Sequence, residues 1–180
     1  MYLNCHSYHS LRYGTIPLKE LVKNAVLHDV KAMALTDINT VTGIYDFIRE
    51  CDKFEIKPLV GMEFRCNHQF RYIGLAKNAE GLGEMNRFLT DHNFSGEALP
   101  LIAPQFESVF VIYTLGNAPE KLRENEFIGI RPDEVLRLLT SKHRNNISKM
   151  VVLQSVTFNN KKEFNLHKIL RAIDTNIILS

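Results

Sequence analysis

Short apolar runs alternate with amphipathic segments along almost the whole chain. Seven of these runs are typical of buried strands, and several of the segments between them carry apolar residues at helical spacing, as at Leu18, Leu21 and Ala25. Strands that alternate with helices predict βαβ units, right-handed crossovers and a mostly parallel sheet. The pattern therefore predicts an α/β domain, either a closed β/α barrel or an open doubly wound sheet.

The predicted elements can be placed by residue number. Thr15 is the expected N-cap of the first helix, and Pro17 lies near its first helical position. In either α/β architecture, functional side chains lie at the carboxyl ends of the strands. The predicted strands are 2–6, 31–37, 56–64, 70–78, 108–114, 126–131 and 149–156, and the predicted helices are 15–29, 42–54, 79–93, 132–143 and 162–173.

Length and composition fit one domain, residues 1–180, which can bury a core without disulfides or metal ions. The net charge of +2 is too small to predict nucleic-acid binding by itself. Three cysteines without paired spacing fit the reduced thiols of a cytoplasmic protein. Neither a signal peptide nor an apolar run of membrane-spanning length is visible, so we expect no membrane contact. The closing stretch DTNIILS follows a helix without a capping element, which favours the N-terminal fragment of a longer chain.

Three polar side chains fall at the predicted ends of the first three strands. They are His6, Asp37 and Glu63. A neutral imidazole and two carboxylates can together hold a divalent ion. The alternative is that Asp37 caps the following helix and Glu63 is a solvated strand end. From the residues alone we favour this alternative, because the other strand ends are apolar or cationic and a catalytic metal site needs more ligands.

Basic residues offer a further alternative, a module that binds a phosphate or a nucleic acid. Arg71, Lys77 and the basic C-terminal half would supply the cations. A solvated surface is the commoner meaning of charges dispersed in this way. The glycines of the stretch 79–83 lack the order of a phosphate-binding loop, and no nucleophile elbow occurs. The residues therefore predict neither a nucleotide-binding loop nor covalent catalysis.

Four stretches, LNCHSYHSLRYG, ALTDINTVTGIYDF, KPLVGMEF and YIGLAKNAEGLGEMNRFL, resemble a known family in order and spacing. The family is the N-terminal PHP domain (polymerase and histidinol phosphatase) of bacterial DNA polymerase III alpha subunits. The stretches EFIGIRP and LHKILRAI resemble later segments of the same domain. The resemblance implies a distorted seven-stranded β/α barrel, in agreement with the number of predicted strands.

The resemblance also implies a set of metal ligands, of which His6, Asp37 and Glu63 are kept. At the substituted positions, Ile, Val and Phe offer no lone pair, and an arginine adds a fixed positive charge. We therefore expect a vestigial site that holds no metal, in which Arg71 pairs with Glu63 or Asp37. The substituted ligand positions are Asn4, Tyr13, Ile38, Arg71, Val156 and Phe158.

What the resemblance implies for function is a structural, non-catalytic domain of a replicative DNA polymerase, with no cofactor of its own. The parent protein would be the DNA-directed DNA polymerase, and Mg²⁺ would belong to its downstream polymerase domain. Expected partners are the other polymerase domains in cis, a proofreading exonuclease or other replisome subunits, and DNA through the parent protein. The alternative is an active metal-dependent phosphoesterase or proofreading exonuclease that uses His6, Asp37 and Glu63 with Zn²⁺ or Mn²⁺.

Overall fold

Within residues 1–178, the part of the chain that the computed structural model describes, eight strands and five α-helices follow one another. Strands and helices alternate along most of the chain, so the predicted α/β class is confirmed. The strands are β1 Tyr2–Cys5, β2 Ala32–Leu35, β3 Lys57–Cys66, β4 Gln69–Ala76, β5 Val109–Thr114, β6 Glu126–Ile130, β7 Met150–Val152 and β8 Ser155–Val156. The helices are α1 Leu18–Leu27, α2 Ile44–Asp52, α3 Ala79–Ser95, α4 Val135–Leu139 and α5 Lys161–Thr175.

The contacts divide the chain into two compact units. The first contains Met1–Leu59 and the residues from Ser155 onward, and the second contains Val60–Gln154. The boundary therefore falls inside β3 and again between β7 and β8. The assignment of residues 1–180 to a single domain stays a prediction, and each unit is described by itself.

In the first unit, β1 pairs in parallel with β2 on one side and with β8 on the other. Helix α1 begins after Pro17. With a φ of −63° and a ψ of 143°, Pro17 is still extended and is the last residue before the helix. This helix buries Leu21 and Val22, and α2 buries Phe47 and Cys51, so both helices turn an apolar stripe into the core. Because the three strands are parallel, their carboxyl ends lie at one edge of this sheet.

In the second unit, β4 is antiparallel to β3 and to β5, whereas β5, β6 and β7 are parallel. Asn67 and His68 connect β3 to β4, and both have positive φ, 49° and 65°. Two central residues with positive φ are typical of the tight turn that joins antiparallel strands. Helix α3 packs on this sheet where Gly74 leaves room, since a Cβ at Gly74 would lie 2.6 Å from the sulfur of Met85.

Three predictions about the elements need correction, and the mostly parallel sheet has exceptions. Parallel pairs outnumber antiparallel ones in the two units, but β4 is antiparallel to β3 and to β5, and the two-residue connection between β3 and β4 is too short for a crossover. The predicted strand 149–156 is two strands, which belong to different units. The predicted helix 132–143 is a 3₁₀ turn followed by the short α4. Thr15 is not the N-cap of α1, since its hydroxyl donates to the carbonyl of Thr157 at 3.2 Å.

Across residues 1–178, no helix combines the length and the apolar character needed to cross a membrane.

Candidate functional site

Polar side chains collect at the carboxyl ends of the three parallel strands in the first unit. His6 follows β1, Asp37 follows β2 and Thr157 follows β8. The strand ladders extend to these positions, because the amide of His6 donates to the carbonyl of Val156 at 2.8 Å and the amide of Thr36 donates to that of Cys5 at 2.9 Å. The sheet therefore brings together two of the three side chains that the sequence singles out, His6 and Asp37.

The carboxylate of Asp37 is buried and accepts three short hydrogen bonds. The Ser7 amide donates to Oδ1 at 2.7 Å, the Ser7 hydroxyl donates to Oδ2 at 2.7 Å, and the Ser10 hydroxyl donates to Oδ1 at 2.6 Å. Burial raises the pKa of Asp37 above its ordinary value, while the hydrogen bonds from Ser10 and Ser7 and the charge of His6 oppose that rise. Both carboxylate oxygens are thus occupied by protein donors.

The loop that follows β1 folds back on itself to supply these donors. The amide of Ser10 donates to the carbonyl of Ser7 at 3.0 Å, and the amide of Gly14 donates to that of Ser10 at 2.8 Å. A Cβ at Gly14 would lie 1.8 Å from the Ser7 carbonyl oxygen, so no larger residue fits there without moving the backbone. The Ser10 hydroxyl also accepts from the amide of Ile38 at 3.1 Å, which joins the loop to the end of β2.

His6 and Tyr13 belong to a group of packed rings. Nδ1 of His6 lies 3.0 Å from the Thr157 hydroxyl, and the His6 ring meets Tyr13 edge to face with centroids 5.1 Å apart. On its other side Tyr13 meets His167 of α5 at 4.7 Å, and His167 Nδ1 donates to the Tyr13 carbonyl at 2.6 Å. The guanidinium of Arg171 lies 5.4 Å from the Tyr13 ring centroid. Position 13 is therefore a packing position for an aromatic ring.

Asn4 is buried on β1 and faces a neighbouring side chain of its own unit. Its Oδ1 accepts a hydrogen bond from the Thr36 hydroxyl at 3.2 Å. Asn4 therefore takes part in a side-chain hydrogen bond between β1 and the end of β2. Ile38 lies directly after Asp37 and is half-buried.

The predicted pair Val156 and Phe158 flanks the side chain that contacts His6. Val156 is paired with Cys5 in the register of β8 and β1. Phe158 packs against Phe164 of α5, with ring centroids 4.9 Å apart. Thr157, between the two, provides the hydroxyl next to His6. Because side chains alternate along an extended segment, Thr157 shares its face with neither flanking residue.

Glu63 lies in the second unit, where it is buried on β3 and forms an ion pair with Arg65 two residues later. The expected pairing of Arg71 with Glu63 is wrong. Arg71 instead donates to Gln69 at 3.4 Å, a weak contact, and its Nε is buried without a hydrogen-bond partner. Arg65, and not Arg71, thus forms an ion pair with Glu63.

The side chains at the predicted ligand positions contact other groups of the protein. Nowhere in residues 1–178 do three His, Cys, Asp or Glu side chains form a group that could hold a metal ion. Both oxygens of Asp37 accept hydrogen bonds from hydroxyls and an amide, and the half-buried Tyr13 ring meets the rings of His6 and His167 edge to face.

Comparisons with known proteins agree with the resemblance in the sequence. Residues 3–115 match the family model described as the PHP domain. The error-prone DNA polymerase of Symbiobacterium thermophilum is 33% identical over 90 residues, which make up 50% of this chain and 8% of that protein. The DNA polymerase III subunit alpha of Chlamydia muridarum is 39% identical over 61 residues, or 34% of this chain and 5% of that protein.

The part of each relative that this chain matches is small, less than a tenth of its length. Among solved structures, an amidohydrolase from Chromobacterium violaceum is similar with a TM-score of 0.42 and 20% identity, over 53% of this chain and 34% of that one. A TM-score at this level supports no conclusion about fold or function.

Proposed function

The chain belongs to the PHP domain family, and we propose that it serves as a non-catalytic PHP domain of a replicative DNA polymerase III alpha subunit. Its role in this proposal is architectural, in contact with the other polymerase domains in cis and with a proofreading exonuclease or other replisome subunits. The parent protein is then a cytoplasmic DNA-directed DNA polymerase, which contacts DNA and carries Mg²⁺ in its polymerase domain. The distorted seven-stranded β/α barrel that the resemblance implies is part of the same proposal.

One observation supports the hypothesis that the domain is non-catalytic. Asp37, which stands at a family ligand position, accepts hydrogen bonds from Ser7 and Ser10 on both of its oxygens. These bonds use three of the roughly four lone-pair sites of the carboxylate, so a cation would find a single site on Oδ2 unless it displaced a donor. Each buried donor left unpaired in that way would cost about 1–3 kcal/mol.

Charge supports the same reading. Arg65 beside Glu63 places a guanidinium next to a second ligand position. A cation is repelled by a fixed positive charge at this range, and the repulsion is stronger where both groups are buried. Tyr13 stands where the resemblance implies an aspartate, and Asn4 stands where it implies a histidine, so a further carboxylate and a further imidazole are missing.

The alternative, an active metal-dependent phosphoesterase, is favoured by a single feature: His6, Asp37 and Glu63 are all kept and all buried. A hydrolysis assay separates the two functions. The untagged chain is incubated with bis-p-nitrophenyl phosphate and Mn²⁺ or Zn²⁺, beside a matched Glu63→Gln variant. We expect both proteins to stay at the background rate. Metal-dependent hydrolysis by the wild type that disappears in Glu63→Gln would contradict the proposal.

The polymerase context has its own test, which is independent of metal. The reading frame that contains these residues is sequenced beyond Ser180. We expect it to encode a polymerase domain with clustered carboxylates. A stop codon or an unrelated domain would contradict the proposal that the chain belongs to a polymerase. The hypothesis that the site is non-catalytic would not be affected.

A further inference from the structure

Two phenylalanine rings lie side by side on neighbouring strands of the second unit. Phe110 belongs to β5 and Phe127 to β6, and their ring centroids are 5.8 Å apart in an edge-to-face arrangement. The register pairs Phe127 with Ile112, which stands two residues after Phe110, so both rings lie on the same face of the sheet. Phe110 is 41% exposed and Phe127 is half-buried. The sheet therefore presents a pair of aromatic rings at its surface.

A lysine ammonium lies over each of these rings. Nζ of Lys77 is 4.9 Å from the ring centroid of Phe110, and Nζ of Lys149 is 5.1 Å from that of Phe127. Lys77 follows the last residue of β4, and Lys149 precedes the first residue of β7. The strands on either side of β5 and β6 thus bring one cation to each ring. We call these four residues, Lys77, Phe110, Phe127 and Lys149, the aromatic–lysine patch.

Backbone carbonyls hold the two ammonium groups. Nζ of Lys77 donates to the carbonyl of Glu107 at 2.9 Å, and Nζ of Lys149 donates to the carbonyls of Arg123 and Glu124. Within residues 1–178, neither ammonium forms an ion pair with a carboxylate, so both charges can act on a ligand. Glu107 and Glu124 are themselves exposed, and their charges make the surroundings nearly neutral. Charge alone would therefore hold an anion weakly here, and the rings must supply most of the affinity.

Rings interleaved with cations are suited to a single strand of nucleic acid. Unpaired bases stack on aromatic side chains of a sheet face, and neighbouring basic residues bind the phosphates. The ammonium groups do not block the rings, because a cation–π contact at an exposed site is weak and a flexible lysine can move from the ring to a phosphate. A duplex keeps its bases stacked inside and does not offer their faces to a protein.

We propose that the aromatic–lysine patch binds a single strand of DNA or RNA, with bases stacked on Phe110 and Phe127 and phosphates at Lys77 and Lys149. The sequence offers Lys77 as a ligand of nucleic acid, but its place beside the two rings follows only from the sheet. An acidic peptide fits less well, since it would use the two cations and leave the rings without partners. The proposal depends neither on the polymerase context nor on the site at Asp37, because the chain itself would bind the strand.

Fluorescence anisotropy of labelled oligothymidine mixed with the untagged chain tests the proposal. A duplex of the same length and a labelled oligouridine are measured beside it. We expect a single strand to bind more tightly than the duplex, and the tighter of the two single strands identifies the ligand as DNA or RNA. With two phosphate contacts, the affinity should fall about sevenfold between about 50 and 200 mM salt.

Substitutions separate the contribution of the rings from that of the charges. Phe110→Ala removes a stacking surface and should weaken binding at least about fivefold. The matched control is Phe94→Ala, at an exposed position in the last turn of α3, which should leave binding unchanged. Lys77→Gln should reduce the fall in affinity over the same salt range to about threefold. Lys23→Gln, at an exposed position on α1, should leave that fall unchanged.

Three results would overturn the proposal: no binding of either single strand at low salt, equal binding of the duplex, or binding that Phe110→Ala leaves unchanged. Polyglutamate that displaces the strand as well as unlabelled oligothymidine does would also overturn it, because the patch would then recognise charge alone. If Phe110→Ala alters the circular dichroism spectrum, Phe110→Leu provides the same comparison with a milder change. Failure of the proposed function is seen separately, because metal-dependent hydrolysis and the reading frame are measured without nucleic acid binding.

Discussion

Two buried carboxylates, Asp37 in the first unit and Glu126 in the second, are compensated in different ways. Glu126 lies 3.0 Å from the guanidinium of Arg123 and also accepts from the Tyr113 hydroxyl at 2.8 Å. The three hydrogen-bond donors to Asp37 are uncharged, two hydroxyls and an amide. Glu126 thus has a counter-charge, whereas Asp37 is held by uncharged donors.

The difference has a consequence for stability. Hydroxyl donors satisfy the lone pairs of Asp37 but leave its charge buried, and burial raises its pKa. A guanidinium neutralises Glu126 directly and remains partly in contact with water, since the side chain of Arg123 is 35% exposed. The stability of the protein should therefore respond differently at Asp37 and at Glu126 to loss of the carboxylate, to loss of its charge and to a change of pH.

The largest expected effect is that of Asp37→Ala. The change leaves three buried donors of Ser7 and Ser10 without acceptors and frees the loop after β1, so we expect a loss of about 3–4 kcal/mol in the free energy of unfolding. Urea denaturation followed by circular dichroism measures it. The matched control is Asp46→Ala, which removes a carboxylate that is 60% exposed and paired with an exposed arginine, and should cost less than about 1 kcal/mol. Equal, small losses for the two variants would mean that Asp37 does not hold the loop.

A smaller effect is expected for Glu126→Gln. The amide oxygen can still accept from the Tyr113 hydroxyl, but Arg123 loses its counter-charge, and because Arg123 is partly hydrated we expect a loss of about 1–2 kcal/mol. The exposed neighbour Glu124 provides the control variant Glu124→Gln, which should be near neutral. If Glu126→Gln lowered the free energy of unfolding as much as Asp37→Ala does, the two carboxylates would not differ in the way described.

Tyr13→Ala tests the ring group that Tyr13 forms with His6 and His167. The change removes edge-to-face contacts with His6 and His167, and such aromatic contacts contribute about 0.5–1.5 kcal/mol each, so we expect a loss of about 1–2 kcal/mol. Tyr13→Phe keeps the ring and should lose less. Tyr45→Ala, at an exposed position on α2, is the control. A Tyr13→Ala protein as stable as the Tyr45→Ala control would show that the rings do not stabilise the site.

The pH dependence of stability should carry the smallest signal. Because the pKa of Asp37 is raised above 3.8 in the folded state, the folded protein takes up a proton at a higher pH than the unfolded chain. The free-energy cost of burying the Asp37 carboxylate is fully present at a pH above its raised pKa and is fully relieved at a pH below 3.8. The stability of the wild type relative to Asp37→Asn should therefore increase as the pH falls through this window. A difference that is constant or moves in the opposite direction would contradict the assignment.

Most of the elements could be predicted from the sequence, because apolar runs and helical spacing are local signals. The turn at Asn67 and His68 was the main exception, since it lacks the glycine that usually marks a two-residue hairpin. The predicted strand 149–156 is a second exception, because the structure has two strands there, β7 and β8. Nothing local in its apolar run shows that Leu153 and Gln154 separate two strands that join different units.

The candidate site was harder to predict. The positions of His6, Asp37 and Glu63 at strand ends follow from local pattern, and their resemblance to a ligand set could be read from motifs. The groups that contact them could not be found in this way. Thr157 is 151 residues from His6, and His167 is 154 residues from Tyr13, so only the folded sheet and α5 bring them together. Ser10 gave a weak local signal, as a polar residue in the loop after β1.

We propose that the native protein holds no metal ion, and elemental analysis tests this proposal. The untagged chain is purified without metal-affinity resin, equilibrated with Mn²⁺ or Zn²⁺, desalted and analysed by inductively coupled plasma mass spectrometry. We expect no stoichiometric metal in the wild type and no difference from Asp37→Asn or Glu63→Gln. One or more ions per chain that are lost in those two variants would contradict it.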